Sequence, residues 1–146
     1  MTPSQEQFAR LQRYVSRIRR AGASDEGYDD LIAFFMHAWH FADWASNDST
    51  VGLTLKQIQQ EAKTYPALAI CADIADGIKH FQLTKPSRDF ARVTHKDIQV
   101  FEGSDRPATA VYTFTLPDGS TRDALALAEQ IVTDWRALLA RYGIGL

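Results

Sequence analysis

Phe8, Leu11, Val15 and Ile18 recur three or four residues apart until Ala21-Gly22 interrupts the pattern, which predicts a helix over residues 4–21. Ser4 and Gln7 have the spacing of a capping box at its start. From Leu31 to Trp44 the chain is apolar nearly all the way round a helical wheel, the pattern of a helix at the centre of a bundle, predicted over about residues 28–46. Asn47-Asp48-Ser49-Thr50 and Gly52 break it. A short polar helix follows from Thr54 to Lys63, anchored by Leu55 and Ile58. Pro66 suits a first turn and opens a fourth helix that runs to about Leu83, before Pro86. Its stripe is Cys71, Ile74, Ala75 and Ile78, while Ala67, Ala69, Ala72 and Gly77 keep it thin enough for close neighbours.

Beyond Pro86 the period shifts toward two. Ile98 and Val100 alternate in one run and Ala110, Tyr112, Phe114 and Leu116 in another, separated by the loop Gly103-Ser104-Asp105-Arg106-Pro107. Leu116-Pro117-Asp118-Gly119-Ser120 is turn chemistry, with the chain returning through Thr121-Arg122. A last helix over about residues 124–142 aligns Leu127, Ile131, Trp135, Leu138 and Tyr142 and stops at Gly143. The expected fold is therefore α+β and mostly helical: a four-helix core over residues 4–83, a small antiparallel sheet of two or three strands, and a C-terminal helix. With no internal repeat or linker, residues 1–146 read as one domain.

Composition narrows the class without changing that picture. With 146 residues, 45% of them hydrophobic and 23% charged, the chain is long and apolar enough to bury a core, which excludes disorder as its main description. No run approaches the roughly 20 apolar residues of a membrane span, and the N-terminus lacks the pattern of a signal peptide, so the expectation is a cytoplasmic protein without membrane contact. A single cysteine, Cys71, sits on an apolar stripe and reads as a small buried hydrophobe.

Charge is segregated, although 16 Lys and Arg against 18 Asp and Glu leave a net of only −2. At 100° per residue Arg10, Arg13, Arg17 and Arg20 share a narrow sector opposite the apolar stripe of the first helix, and the next segment, Asp25 to Asp30, is acidic. Four arginines on one face could contact phosphates, for which Arg is the better residue because it binds them bidentately. The same stripe is also what a solvated face paired with the neighbouring acids looks like. The acidic total and the lack of aromatics interleaved with the arginines speak against a single-strand RNA platform.

Two helix flanks carry the other candidate chemistry. His37, His40 and Asp43 step along the central helix, and Asp73, Asp76 and His80 lie within about 60° of one another on the fourth. If the flanks face each other, His40, Asp43, Asp73, Asp76 and His80 could hold a divalent transition metal, or His80 could act as an acid or base oriented by Asp76 or Asp43, with Lys79 stabilising phosphate charge. Against this, Asp73, Asp76, Lys79 and His80 also describe an ordinary solvated face, and His37 a hydrogen-bonded core histidine. The sequence holds no His-Glu-x-x-His and no second Cys for a zinc site.

Phe34-Phe35-Met36-His37-Ala38-Trp39-His40-Phe41-Ala42-Asp43-Trp44, followed by Cys71-Ala72-Asp73 and Gly77-Ile78-Lys79-His80, resembles a group of small uncharacterised bacterial and phage proteins with a His-x-x-Asp-Trp helix and a later Cys-Ala-Asp helix ending in Gly-x-Lys-His. The resemblance covers about residues 28–83 and implies a shared fold. The Asp76-Gly77-Ile78-Lys79-His80 ending is also similar to the His-bearing helix of HEPN-type RNases. Those enzymes carry an Arg a few residues before the His, where this chain has Asp73, Asp76 and Lys79. Arg88 does precede His95 with six residues between, the outer spacing of that family, but in a predicted loop and strand. With no complete catalytic motif, the expected function is a bacterial or phage accessory protein that needs no cofactor and binds another protein, with RNA as the other candidate partner. The alternative is a HEPN-like RNase or a metal-dependent hydrolase.

Overall fold

A computed structural model describes residues 1–21, 25–80, 92–99, 109–116 and 119–146. The elements are α1 (Pro3–Ala21), α2 (Asp25–Asn47), α3 (Leu55–Ala62), α4 (Pro66–His80), β1 (Arg92–Gln99), β2 (Thr109–Thr115), β3 (Thr121–Asp123) and α5 (Ala124–Ala140). The fold is α+β and mostly helical, with a small antiparallel sheet in the order β1-β2-β3 and a closing helix. Val100 and the loop at 103–107 lie outside the described residues.

The all-round apolar α2 is the centre. It packs against α1, α3, α4 and α5, and Leu31, Phe34, Phe35, Ala38, Phe41, Ala42 and Ala45 are fully buried. Its partners meet it through aromatic edges. Phe41 makes contacts to Phe8 of α1 at 6.0 Å and Trp135 of α5 at 5.1 Å, and Phe35 meets Phe114 of β2 at 5.1 Å, nearly edge-on. The Trp135 indole donates to the Ala38 carbonyl at 2.9 Å, tying α5 to α2 by a buried polar contact as well as by packing. The thin α4 comes close, as its alanines predict: Cys71 is fully buried and its Sγ donates to the Phe35 carbonyl at 3.6 Å. Burial pushes the thiol's pKa far up, so Cys71 behaves as the small hydrophobe the stripe implies.

The strands pair in the expected antiparallel sense, Ile98 opposite Ala110 and Phe114 opposite Arg122. Tyr112 and Phe114, two residues apart, face the core. The turn before β3 closes with Leu116 N–H to the Ser120 carbonyl at 2.8 Å, and Gly119 takes φ +83°, a conformation side chains resist. Among the described residues no helix is long and apolar enough to cross a membrane.

Two local expectations need correction. The reciprocal cap of α1 is formed by Thr2 and Gln5, not Ser4 and Gln7: Thr2 N–H donates to Gln5 Oε1 at 3.0 Å and Gln5 N–H to Thr2 Oγ1 at 3.3 Å. Pro3 then occupies the first helical position, where its missing N–H costs nothing, and this moves the helix start forward. Tyr142 lies past the end of α5 and is exposed, because the chain turns at Gly143 (φ +76°), with Gly143 N–H on the Ala140 carbonyl and Ile144 N–H on that of Leu139.

Candidate functional site

The arginine stripe divides by side. On the 100° wheel Gln7 and Tyr14 flank Arg10 and Arg17 on the edge toward α2, while Ala9, Gln12 and Ser16 flank Arg13 and Arg20 on the opposite edge. Arg17 pairs with Asp30 of α2 at 2.9 Å and lies over the Tyr14 ring at 5.6 Å. This is the pairing with the neighbouring acids that the sequence allowed, yet the Arg17 side chain remains 59% exposed. Tyr14 also corrects the reading that no aromatic lies among the arginines, although its ring is engaged by Arg17 and His37.

On the other edge, Ala9, Gln12, Arg13, Ser16, Arg17 and Arg20 line a shallow groove of about 500 Å³. Short Ala9 and Ser16 lie in it beside Gln12 and three guanidinium groups. Arg13 and Arg20 are exposed, and among the described residues neither meets a carboxylate. Arg20 Nε returns to the Ser16 carbonyl at 3.3 Å, which holds it along the groove. Beyond Ser16 a smaller cleft of about 240 Å³ separates α1 from α5 and is spanned by Arg19–Glu129 at 2.5 Å.

Toward α2, Arg10 Nη1 donates to Gln7 Oε1 at 2.9 Å. A guanidinium only donates, so this contact fixes the amide and turns its NH2 toward His37 Nδ1, 3.5 Å away. Nδ1 accepts, and the ring proton of neutral His37 therefore sits on Nε2. The ring stacks on Tyr14 with centroids 5.4 Å apart. Burial, then the positive charges of Arg10 and His40, lower the His37 pKa and keep the imidazole neutral to lower pH. His37 is thus the hydrogen-bonded, half-buried histidine that its apolar helix implies, but it borders a cationic seam.

The His/Asp flanks are only partly described. His40 is exposed and Asp43 half-buried, and no ion pair joins them among the described residues. The Asp43 backbone carbonyl accepts from Ser46 Oγ and Asn47 Nδ2, both at 2.9 Å, so this turn finishes α2. Asp73 and Asp76 are half-buried and each is already engaged. Among the described residues no three His, Cys, Asp or Glu side chains gather around a point a metal ion could occupy. The side chains of Lys79, His80 and His95, and all of Arg88, lie outside the described residues, as does any convergence on His80.

Two polar centres carry no obvious sequence signal. Asp48, in what reads as a helix break, is buried and accepts from Ser4 N–H at 3.0 Å, Thr50 N–H at 3.0 Å and Thr50 Oγ1 at 2.7 Å. Burial alone would raise its pKa, but the bonds from Thr50 and Ser4 together outweigh that and hold the carboxyl well below the usual range. Glu61 of α3 pairs with Arg141 at 2.7 Å and accepts from the Tyr142 hydroxyl, fastening the C-terminal turn to α3. Both centres join distant segments, which only the tertiary fold could disclose.

The chain matches no protein-family model, and no curated protein or solved structure is similar to it at a significant level.

Proposed function

We propose that this is an accessory protein of a bacterial or phage genome that works by binding, not catalysis, and that the outer face of α1 docks an acidic surface of a protein partner. The observation that carries the reading is the groove rimmed by Arg13, Arg17 and Arg20 over a floor of Ala9, Gln12 and Ser16. The short side chains of Ala9 and Ser16 let a partner backbone or helix approach, and the guanidiniums can receive carboxylates. Among the described residues, only Arg17 of the three is partly neutralised by an acid. A chain of net charge −2 that holds such a face in one sector has its attraction focused there.

RNA is the competing partner. It is less favoured because Tyr14, the aromatic within the stripe, is stacked against His37 and Arg17. Fluorescence anisotropy with a Glu/Asp-rich peptide and a single-stranded RNA of equal charge distinguishes the two. The expected result is that the peptide binds more tightly and that Arg13→Glu with Arg20→Glu weakens it at least about tenfold. Tighter binding of the RNA would transfer the face to nucleic acid, and binding of neither ligand would remove the proposal.

A further inference from the structure

We propose that Arg10, His37 and His40, together at the seam between α1 and α2, form an oxyanion site that takes a phosphate monoester carried on the docked protein partner. The source of the phosphate rests on the docking reading of α1, whereas the site rests on its own geometry. Arg10 spends one N–H on Gln7 Oε1, which leaves the rest of its fork to donate. The same contact, relayed through the Gln7 amide, sets His37 Nδ1 as an acceptor and Nε2–H as a donor. His40, one turn along the same flank of α2, is exposed and near enough for its charge to act on His37.

Among the described residues, the polar, aromatic and charged groups that act on His37 come from both helices. α1 presents Arg10, Gln7 and Tyr14, and α2 presents His40. Asp30, an acid of the same helix lying two turns earlier, is held by Arg17. Among the described residues no carboxylate forms an ion pair with Arg10. A monoester dianion offers three oxygens and up to two negative charges, more than a carboxylate can return to a guanidinium and two imidazoles. The adjoining Arg17 and Arg13 would take acidic residues next to the phosphate, making the seam and the groove one continuous surface.

The test has two arms. Inorganic phosphate is titrated into the protein while the His37 and His40 imidazole resonances are followed by NMR; both should move, and both titration midpoints should rise to higher pH. Separately, an acidic peptide is compared with and without phosphoserine. The phosphopeptide should bind at least tenfold more tightly, and Arg10→Gln with His40→Gln should abolish that preference, the unmodified peptide losing much less affinity than the phosphopeptide. His40 is exposed, so His40→Gln alone, with the fold intact, should already reduce the preference. Imidazole resonances indifferent to phosphate overturn the site, whatever the peptides do. Responsive resonances with neither peptide bound remove the docking reading and the phosphoprotein source together, leaving a site for free phosphate. A 5′-phosphorylated RNA that binds more tightly than the phosphopeptide overturns the protein as the source.

Discussion

Asp48 shows how one side chain can decide the register of two segments. Its carboxylate receives the Ser4 amide of α1 and both donors of Thr50, so that the start of the first helix is fixed to the end of the second. Because the folded carboxyl has a depressed pKa, the unfolded chain binds the extra proton. The stabilisation is complete above the ordinary carboxylate value of about 4 and is lost as pH falls through and below it. Asp48→Asn should therefore cost about 1–3 kcal/mol near neutral pH, since one amide now presents N–H groups to donors. Urea denaturation at pH 6.5 and pH 3 should show that deficit shrinking on acidification; an equal deficit at both would mean that the carboxylate charge is irrelevant. Cys71 makes the opposite case of a group removed from chemistry. Buried against the Phe35 carbonyl with its pKa raised, it should resist a thiol reagent in the native state and react only on unfolding, as followed by absorbance against urea.

At the scale of elements, the legible part of the sequence was its periodicity. The all-round apolar run from Leu31 to Trp44 announced a central helix, and Leu127, Ile131, Trp135 and Leu138 announced the buried face of α5; all four of the latter are inside. Thr54 and Asp123 cap α3 and α5 by local rules, since each accepts from an amide three residues on. At the cap of α1, Thr2 and Gln5 offer the same chemistry as Ser4 and Gln7, and what decides between them is Pro3 and the capture of Ser4 by a residue 44 positions away. Long-range partners of that kind leave no trace in spacing. The Gln7–His37 contact between α1 and α2 is of the same kind, and spacing alone shows only a histidine on an apolar helix. Trp135 of α5 is fully buried, in contact with Phe41 and bonded to Ala38 of α2. Trp135→Ala should cost about 3–5 kcal/mol, and Trp135→Phe clearly less, the difference reporting the indole bond and the smaller lost volume in thermal or urea melts.

For the whole molecule, the distribution of charge matters more than its sum. Arg17–Asp30, Arg19–Glu129 and Arg141–Glu61 each reach solvent on at least one side, and pairs of this type contribute little to stability because water and salt screen them. Asp48 is different, being sheltered from solvent and bonded to three donors, so its contribution should hardly respond to salt. Among the described residues no acid pairs with Arg13 or Arg20 on the exposed rim, and under the docking proposal their charge acts on a partner. Salt should consequently separate the two properties. Between about 50 mM and 500 mM sodium chloride the screening length falls from roughly 14 Å to about 4 Å, which suppresses attraction across the groove but leaves hydrophobic burial in place. The melting temperature should then move by no more than about 2 °C, while the affinity for an acidic peptide falls at least about tenfold. Calorimetry and anisotropy on the same samples give both numbers. A protein that melts much earlier in high salt would owe its fold to surface ion pairs, and an affinity indifferent to salt would mean that whatever docks on α1 is held by something other than its arginines.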